Sequence, residues 1–172
     1  MISRINENVW EFKFNTFGSH VYLIKLKNKN ILIDTSSPQN VSCLLKDLKE
    51  LNLEPKDIDV VILTHNHWDH LGGLMKFSNS KIYGNKKDFG KNLLDSKKIN
   101  IKEIKIIETP GHSKGGICIL YKDILFSGDT LFHRNTTGRT DLPGSSKKEM
   151  QESIRKLSKI KFKTLCPGHG YD

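Results

Sequence analysis

The sequence predicts an α+β protein in which two β-sheets pack together and helices lie on the outside. Two parts of the chain are rich in short strand-like runs, and each of these parts is followed by a segment with helical periodicity. The chain has 172 residues, a length that suits one compact domain better than two. We therefore expect a single domain over residues 1–172.

Three short β-rich runs begin the chain, namely "VWEFKF", "HVYLIKLK" and "NILIDT". The residues "NKN" between the second and third runs predict a hairpin turn. From Pro38 the period changes to that of a helix, because one apolar stripe contains Val41, Leu44, Leu45, Leu48 and Leu51. The next run, "IDVVILT", is continuously apolar and indicates a strand that is buried on both faces.

The second half repeats this alternation of strands and helices. A short helix or turn is predicted in "LGGLMKF", a strand in "KIYG" and a helix in "NKKDFGKNLL". Strands follow in "IKEIKIIETP", "GICILYK" and "DILFSGDTLF", and a last one in "KTLCPGHG". The segment "SKKEMQESIRKLSKI" predicts a helix with Ser145 or Ser146 as its N-cap and Glu149 in position for a capping box.

The composition argues against a nucleic-acid-binding, a membrane and a secreted protein. The formal net charge is +9, from 28 Lys+Arg against 19 Asp+Glu, but the lysines are spread along the chain, which favours a solvated surface over a nucleic-acid site. We expect no membrane span and no secretory signal, because no long apolar stretch occurs and "MISRINENVW" lacks an apolar segment. Three scattered cysteines favour a reduced, cytoplasmic setting, with Cys43 and Cys118 expected to be small buried residues.

The stretch "THNHWDH", directly after the buried run, has the densest cluster of histidine in the chain. It contains three of the seven histidines, His65, His67 and His70, together with Asp69. Core packing is a poor explanation for so many polar side chains, because each would need a partner without water. Metal coordination satisfies neutral imidazoles and carboxylates together, so this stretch predicts metal ligands.

Single ligand candidates follow three other predicted strands. They are His112 in "ETPGHSKGG", Asp129 in "FSGDTLF" and His169 in "CPGHG", and each lies beside glycine. Glycine lets the backbone turn sharply and approach a site closely. The three positions therefore extend the predicted metal site to the ends of separate strands.

The series H-x-H-x-D-H, G-H after T-P, G-D and P-G-H resembles the ligand series of the metallo-β-lactamase superfamily, over about Val21 to Gly170. "GDTLF" followed by "GRTDLPG" is most similar to its glyoxalase II-type hydrolases. The resemblance implies a four-layer αββα sandwich with two divalent metal ions. It implies one ion on His65, His67 and His112, the second on Asp69, His70 and His169, and Asp129 between both.

The resemblance also implies a function. We expect a dinuclear hydrolase that acts on a small-molecule thioester of the hydroxyacylthiol class, with Asp69 as the catalytic residue that orients the attacking water. Zinc is our first choice of metal, with iron or manganese as alternatives. Alternative functions are a persulfide dioxygenase with a single iron, a metal-dependent lactonase and a nuclease.

Four further residues receive weaker assignments. Asp34 is predicted to fix a turn or to support a ligand through hydrogen bonds, and His20 to be structural or at the rim of the pocket. The resemblance to glyoxalase II implies that Arg139 binds a carboxylate of the thiol carrier, and a salt bridge with Asp141 is an equal alternative. His133 could border the pocket or lie in an exposed loop. The helical region that follows the metallo-domain in glyoxalase II is not expected here. The second chain of a homodimer could instead form that side of the substrate pocket.

Overall fold

The computed structural model describes residues 1–170, which form two compact units. The first unit contains Met1–Leu63 and His67–Tyr83, and the second contains Thr64–Asn66 and the chain from Gly84 onward. Each unit contains both β-strands and helices. The prediction of a single domain over the whole chain stays a prediction.

The strands of the first unit lie beside one another in chain order. They are β1 (Ile2–Asn6), β2 (Val9–Phe12), β3 (Val21–Leu26), β4 (Lys29–Ile33), β5 (Val60–Ile62) and β6 (Lys81–Gly84). Neighbours from β1 to β4 are antiparallel, and β4, β5 and β6 are parallel. All three residues of β5 are buried, which confirms the strand buried on both faces. Sequence reasoning missed β1, because it has no regular apolar alternation and Ser3 and Arg4 are exposed.

Helices of the first unit connect these strands. A 3₁₀ turn (Pro38–Asn40) leads into α1 (Val41–Glu50), and α2 (Trp68–Leu71) follows β5. Leu44 and Leu48 on the predicted stripe of α1 are buried. Cys43 is exposed, so the expectation of a buried residue there was wrong. Position 43 precedes the stripe residue Leu44 by one, about 100° around the helix, and faces solvent.

The second unit contains α3 (Lys86–Phe89), β7 (Leu94–Asp95), β8 (Ile104–Glu108), β9 (Ile117–Tyr121), β10 (Ile124–Gly128), α4 (Lys147–Leu157) and β11 (Thr164–Pro167). A four-stranded sheet has the order β11-β10-β9-β8. Because β9 is antiparallel to both of its neighbours while β10 and β11 are parallel, strands β8, β10 and β11 all point the same way. Their carboxyl ends therefore lie along the same edge of the sheet.

Helix α4 covers part of this sheet. Leu157 packs with Ile107, Cys118 and Leu125, all of which are buried. Burial of an aliphatic side chain of this size stabilises a fold by roughly 1.5–3 kcal/mol. Ser146 is the N-cap of α4, and its hydroxyl accepts a hydrogen bond from the Glu149 amide, as predicted. Among the described residues, no helix has the length and apolar character needed to cross a membrane.

Candidate metal centre

Three ligand candidates of the second unit follow the strands that end at the same edge. Asp129 comes directly after β10, His169 comes two residues after β11, and His112 comes four residues after β8. The Asp129 Oδ2 atom lies 3.5 Å from His112 Nε2 and 3.5 Å from His169 Nε2. The direction of the strands thus brings two imidazoles onto one carboxylate.

A hydrogen bond at Nδ1 fixes the orientation of the His112 ring. Its Nδ1 atom lies 2.8 Å from the backbone carbonyl oxygen of Arg139, so Nδ1 carries the hydrogen and Nε2 carries the lone pair. Gly138 makes this approach possible, because a Cβ at position 138 would lie 2.1 Å from the Asp129 carbonyl oxygen and 2.9 Å from His112 Nδ1. The glycine of "TTGRTD" is therefore required by close packing behind the ligands.

His65 joins the same group of side chains in the second unit. The Ile117 amide donates to the Thr64 carbonyl oxygen, which fixes this short segment beside β9. The rings of His65 and His112 meet edge to face, with centroids 4.9 Å apart. The Thr64 hydroxyl lies 3.0 Å from His65 Nδ1, an arrangement that leaves Nε2 as the atom for coordination.

The second unit's cluster fits a metal ion in its chemistry. His65, His112 and His169 supply three imidazoles and Asp129 supplies one carboxylate, which are ligands that zinc and iron accept in proteins. The side chains of His112 and Asp129 are only 8% and 11% exposed, so their polar atoms lie largely away from water. Separations of 3.5 Å between imidazole and carboxylate exceed the preferred N–H···O distance and suit groups that share a cation.

The other three candidates, His67, Asp69 and His70, lie in the first unit on and before α2. The His70 Nδ1 atom lies 2.8 Å from Asp34 Oδ2, and both side chains are buried. A carboxylate behind an imidazole is the usual support of a ligating histidine. Asp34 thus makes a hydrogen bond of the kind predicted for it, while its support of a metal ligand stays a prediction.

Backbone contacts in the first unit also hold α2 in position. The amide and the hydroxyl of Thr35 both donate to the His70 carbonyl oxygen, at 2.8 and 3.0 Å. The Ser19 amide donates to the Asp69 carbonyl oxygen at 2.9 Å. Sequence reasoning missed Ser19, because a backbone donor leaves no signature in residue type, whereas the position of Thr35 directly after Asp34 was a signal that could have been used.

The predicted substrate residues lie on exposed loops of the second unit. Arg139 forms two hydrogen bonds with Asp141, from Nε to Oδ1 at 3.0 Å and from Nη2 to Oδ2 at 2.8 Å. These hydrogen bonds raise the pKa of Arg139 and lower the pKa of Asp141. His133 is exposed. Arg139 therefore forms the predicted salt bridge with Asp141. Substrate binding by Arg139 and His133 stays a prediction.

His20 lies in a polar group of its own. Its Nδ1 atom is 3.0 Å from Glu11 Oε1, which also accepts from the Tyr22 hydroxyl at 3.1 Å. This contact gives His20 the structural role that the sequence predicted.

Comparison with known proteins decides the family. The sequence profile of the metallo-beta-lactamase superfamily matches residues 15–86 and 80–169. A probable metallo-hydrolase of Methanocaldococcus jannaschii is 42% identical over 143 residues, which cover 81% of this chain and 70% of that protein. The chain belongs to the metallo-β-lactamase superfamily. This membership confirms the fold class, the α+β sandwich of that superfamily, and the prediction of a metallo-hydrolase.

Within the metallo-β-lactamase superfamily, the chain is similar to glyoxalase II-type proteins, as its motifs predicted. The hydroxyacylglutathione hydrolase of Buchnera aphidicola subsp. Baizongia pistaciae is 34% identical over 160 residues, which cover 87% of this chain and 61% of that protein. A crystal structure of TTHA1623 in a di-iron-bound form has a TM-score of 0.77 at 23% identity and covers 94% of this chain and 92% of that chain. The chain thus spans about three fifths of the hydroxyacylglutathione hydrolase.

Proposed function

We propose that this metallo-hydrolase holds two divalent metal ions and hydrolyses a small-molecule thioester of the hydroxyacylthiol class. The observation that carries the proposal is the convergence of His112 Nε2 and His169 Nε2 on Asp129 Oδ2, 3.5 Å from each. A carboxylate between two imidazoles from different strands is the arrangement expected of a bridging ligand.

The proposed ligands form two sets joined by Asp129. His65, His67 and His112 would hold one ion, and Asp69, His70 and His169 would hold the other. Support for the first set comes from the edge-to-face contact of His65 and His112 and from the two-residue spacing of His65 and His67 along the chain. Support for the second set comes from the buried Asp34–His70 pair and from the His169–Asp129 distance.

A pair of divalent ions, when bound, supplies an activated water near neutral pH and polarises the substrate carbonyl. The chain's own part is to hold the ligands in their coordinating tautomers. The Arg139 carbonyl oxygen keeps the hydrogen of His112 on Nδ1, and the Asp34 carboxylate does the same for His70. These contacts orient both Nε2 atoms before an ion arrives.

Asp69 is the proposed catalytic residue. Its backbone is fixed by the hydrogen bond from the Ser19 amide, and its side chain is buried. A carboxylate held in this way accepts a hydrogen bond from the attacking water and orients its lone pair toward the acyl carbon. The thiolate then leaves without needing a general acid, because a thiol has a pKa of roughly 8.5.

The proposed substrate class comes from the relatives. Hydroxyacylglutathione hydrolases at 31–34% identity support an acylthiol substrate, while the thiol carrier is left open because the chain spans about 61% of the first of them. Zinc is the proposed metal, since the donor set is rich in imidazole, and iron is the alternative. A cytoplasmic location, a homodimer and the substrate contacts of Arg139 and His133 are part of the same proposal.

Metal analysis joined to a substrate panel tests this function. Purified protein reconstituted with zinc or iron should bind close to two ions per chain and hydrolyse acylthiols, with loss of activity on chelation. Asp129→Asn should reduce turnover at least a hundredfold, while Asp123→Asn, in the exposed turn before β10, serves as the control. Metal-loaded protein that is inert on acylthiols contradicts the proposal, and oxygen uptake with a persulfide, lactone hydrolysis or RNA cleavage would identify the alternative.

A further inference from the structure

A groove of about 750 Å³ lies in the second unit along strand β8. All five consecutive residues of β8, Ile104 to Glu108, line it. Successive side chains of a strand point to opposite faces of a sheet, so a groove over one face would be lined by alternate residues only. The groove therefore runs along the edge of the strand.

Strand β8 is the last strand of the four-stranded sheet, since the order is β11-β10-β9-β8. Two hydrogen bonds show which backbone groups point away from β9. The Ile104 amide donates to the Ile101 carbonyl oxygen, and Lys156 Nζ donates to the Glu108 carbonyl oxygen. Because backbone groups alternate along an antiparallel strand, the amide and carbonyl of Ile106, midway between them, also point outward along this edge.

The groove is lined by apolar and by positively charged side chains. Ile99 and Ile160 are partly buried lining residues, and Ile107 is a buried one. The charged side chains that line the groove are four exposed lysines and one glutamate, namely Lys97, Lys105, Lys156, Lys159 and Glu108. Burial acts to raise the pKa of Glu108, but hydrogen bonds from Asn85 and Lys97 hold it below its ordinary value. The positive charge therefore exceeds the negative by three at neutral pH.

We propose that the β8 edge is a docking site for an extended, acidic segment of a partner polypeptide, which adds as a fifth strand to this sheet. Main-chain hydrogen bonds to Ile106 would supply affinity. Side chains of the added strand that point to the face of Lys105 and Ile107 would be carboxylates near Lys105 and Lys159, and those that point to the opposite face, the face of Ile104 and Ile106, would be apolar. This site is separate from the proposed thioesterase function and does not require a metal.

A second copy of this chain is a poorer occupant than an acidic partner. Antiparallel pairing of two β8 edges centred on Ile106 would bring lysines of the two copies close together, and like charges on paired strands are destabilising. Exposed lysine on an edge strand is a common protection against self-pairing. The same lysines attract an acidic strand. Their positive charge therefore favours an acidic partner and disfavours pairing of two copies through this edge.

A synthetic peptide tests the proposal in the whole 172-residue chain. The probe is an acetylated and amidated nine-residue peptide of alternating glutamate and valine, labelled for fluorescence anisotropy at low salt. We expect saturable binding that weakens at least tenfold in a Lys105→Glu/Lys159→Glu variant. Lys29→Glu/Lys46→Glu, with two exposed lysines of the first unit, is the matched control and should bind as the wild type does.

Backbone pairing is tested separately from charge. Peptide binding should slow amide hydrogen exchange at Ile106, and a probe with N-methyl groups on alternate amides should lose at least tenfold in affinity. Ile106→Pro removes the outward N–H at a position where an edge strand tolerates proline, and it should weaken the unmodified probe similarly. Equal binding of the methylated probe would overturn strand addition, and so would failure of the unmodified probe to bind. Self-association in sedimentation that is abolished by Ile106→Pro would also overturn the proposal and assign the edge to a second copy.

Discussion

At the scale of single residues, His112 and His70 are oriented by different kinds of acceptor. His112 Nδ1 faces the backbone carbonyl oxygen of Arg139, whereas His70 Nδ1 faces the carboxylate of Asp34. The sequence predicted that Asp34 would fix a turn or support a ligand through hydrogen bonds, but it did not identify His70 as the partner. It could not predict the acceptor of His112, because every residue has a carbonyl group and the sequence does not say which one approaches a ligand.

Asp34→Asn should lower the affinity for zinc by roughly 10–100-fold, because an amide stabilises the ligating form of His70 less than a carboxylate does. Competition with a chromophoric chelator measures this affinity. Asp59→Asn is the control, since Asp59 accepts from the Asn30 amide and supports no histidine. A change of less than twofold in Asp34→Asn would remove Asp34 from the supporting contacts of the site.

The Glu11 carboxylate predicts a specific response to acid. Burial acts to raise its pKa, but the hydrogen bond and charge of His20, with Lys13 and Ser3, lower it from 4.5 to about 2. A lowered pKa in the folded state means that the stabilisation is present above pH 4.5 and is lost as the pH falls toward 2. Because exposure screens part of the interaction, we expect its contribution to be on the order of 1 kcal/mol.

Urea denaturation of wild type and Glu11→Gln at several pH values measures this response. Between pH 5 and pH 2 the free energy of unfolding of the wild type should fall more steeply than that of the variant. Glu50→Gln, an exposed position at the end of α1, should retain the slope of the wild type. Parallel slopes for wild type and Glu11→Gln would contradict the lowered pKa.

At the scale of elements, the strongest predictions came from long periodic segments. The stripe of α1, the fully apolar β5 and the N-cap of α4 all follow from residue type and spacing, and all are present. Strands β1 and β7 were missed, since β1 has mixed polarity and β7 has two residues. Such strands form because a neighbouring element offers backbone partners, which is information that local periodicity does not contain.

Gly72, which follows α2, should be intolerant of any side chain. Its φ and ψ of −57° and −32° suit every residue, but a Cβ there would lie 2.1 Å from Pro38 N and 2.2 Å from Ser37 C. We expect Gly72→Ala to lower the free energy of unfolding by about 2–4 kcal/mol through overpacking alone. Chemical denaturation gives the value.

Gly144→Ala provides the comparison for Gly72. Gly144 has a φ of +85°, and the nearest atom to a Cβ would be 3.8 Å away. Its substitution should cost only about 1 kcal/mol, from backbone strain without a clash. A smaller loss in Gly72→Ala than in Gly144→Ala would mean that the backbone around Pro38 moves readily to make room.

At the scale of the whole molecule, the family and the fold class could be predicted from the order of the ligand candidates along the chain as well as from their spacing. Seven ligand candidates occur in one series along the chain, and the superfamily match over residues 15–169 confirms what this series predicted. The choice of substrate did not follow, because the proposed substrate contacts come from loop side chains, Arg139 and His133. Their neighbours in space are set by the folded loops and not by a local pattern.

Zinc should stabilise the folded protein, because the proposed ligands are gathered only in the native state. At a free zinc concentration of roughly 100 times Kd, the expected gain in the free energy of unfolding is about 2.7 kcal/mol. Calcium, which prefers oxygen ligands, is the control ion and should give little gain. The double variant His112→Ala/Asp129→Ala should lose the zinc effect, and equal stabilisation of the variant and the wild type would contradict the ligand assignment.

The backbone acceptor behind His112 has a consequence for divergence within the family. A main-chain carbonyl is supplied by whichever amino acid occupies position 139, so mutation of that side chain leaves the imidazole tautomer unaffected. If position 139 contacts the substrate as proposed, selection for a new substrate can act on this loop residue without disturbing the orientation of His112, provided that Gly138 is retained. Variability at position 139 beside invariance at position 138 is the signature that this constraint would leave among homologues.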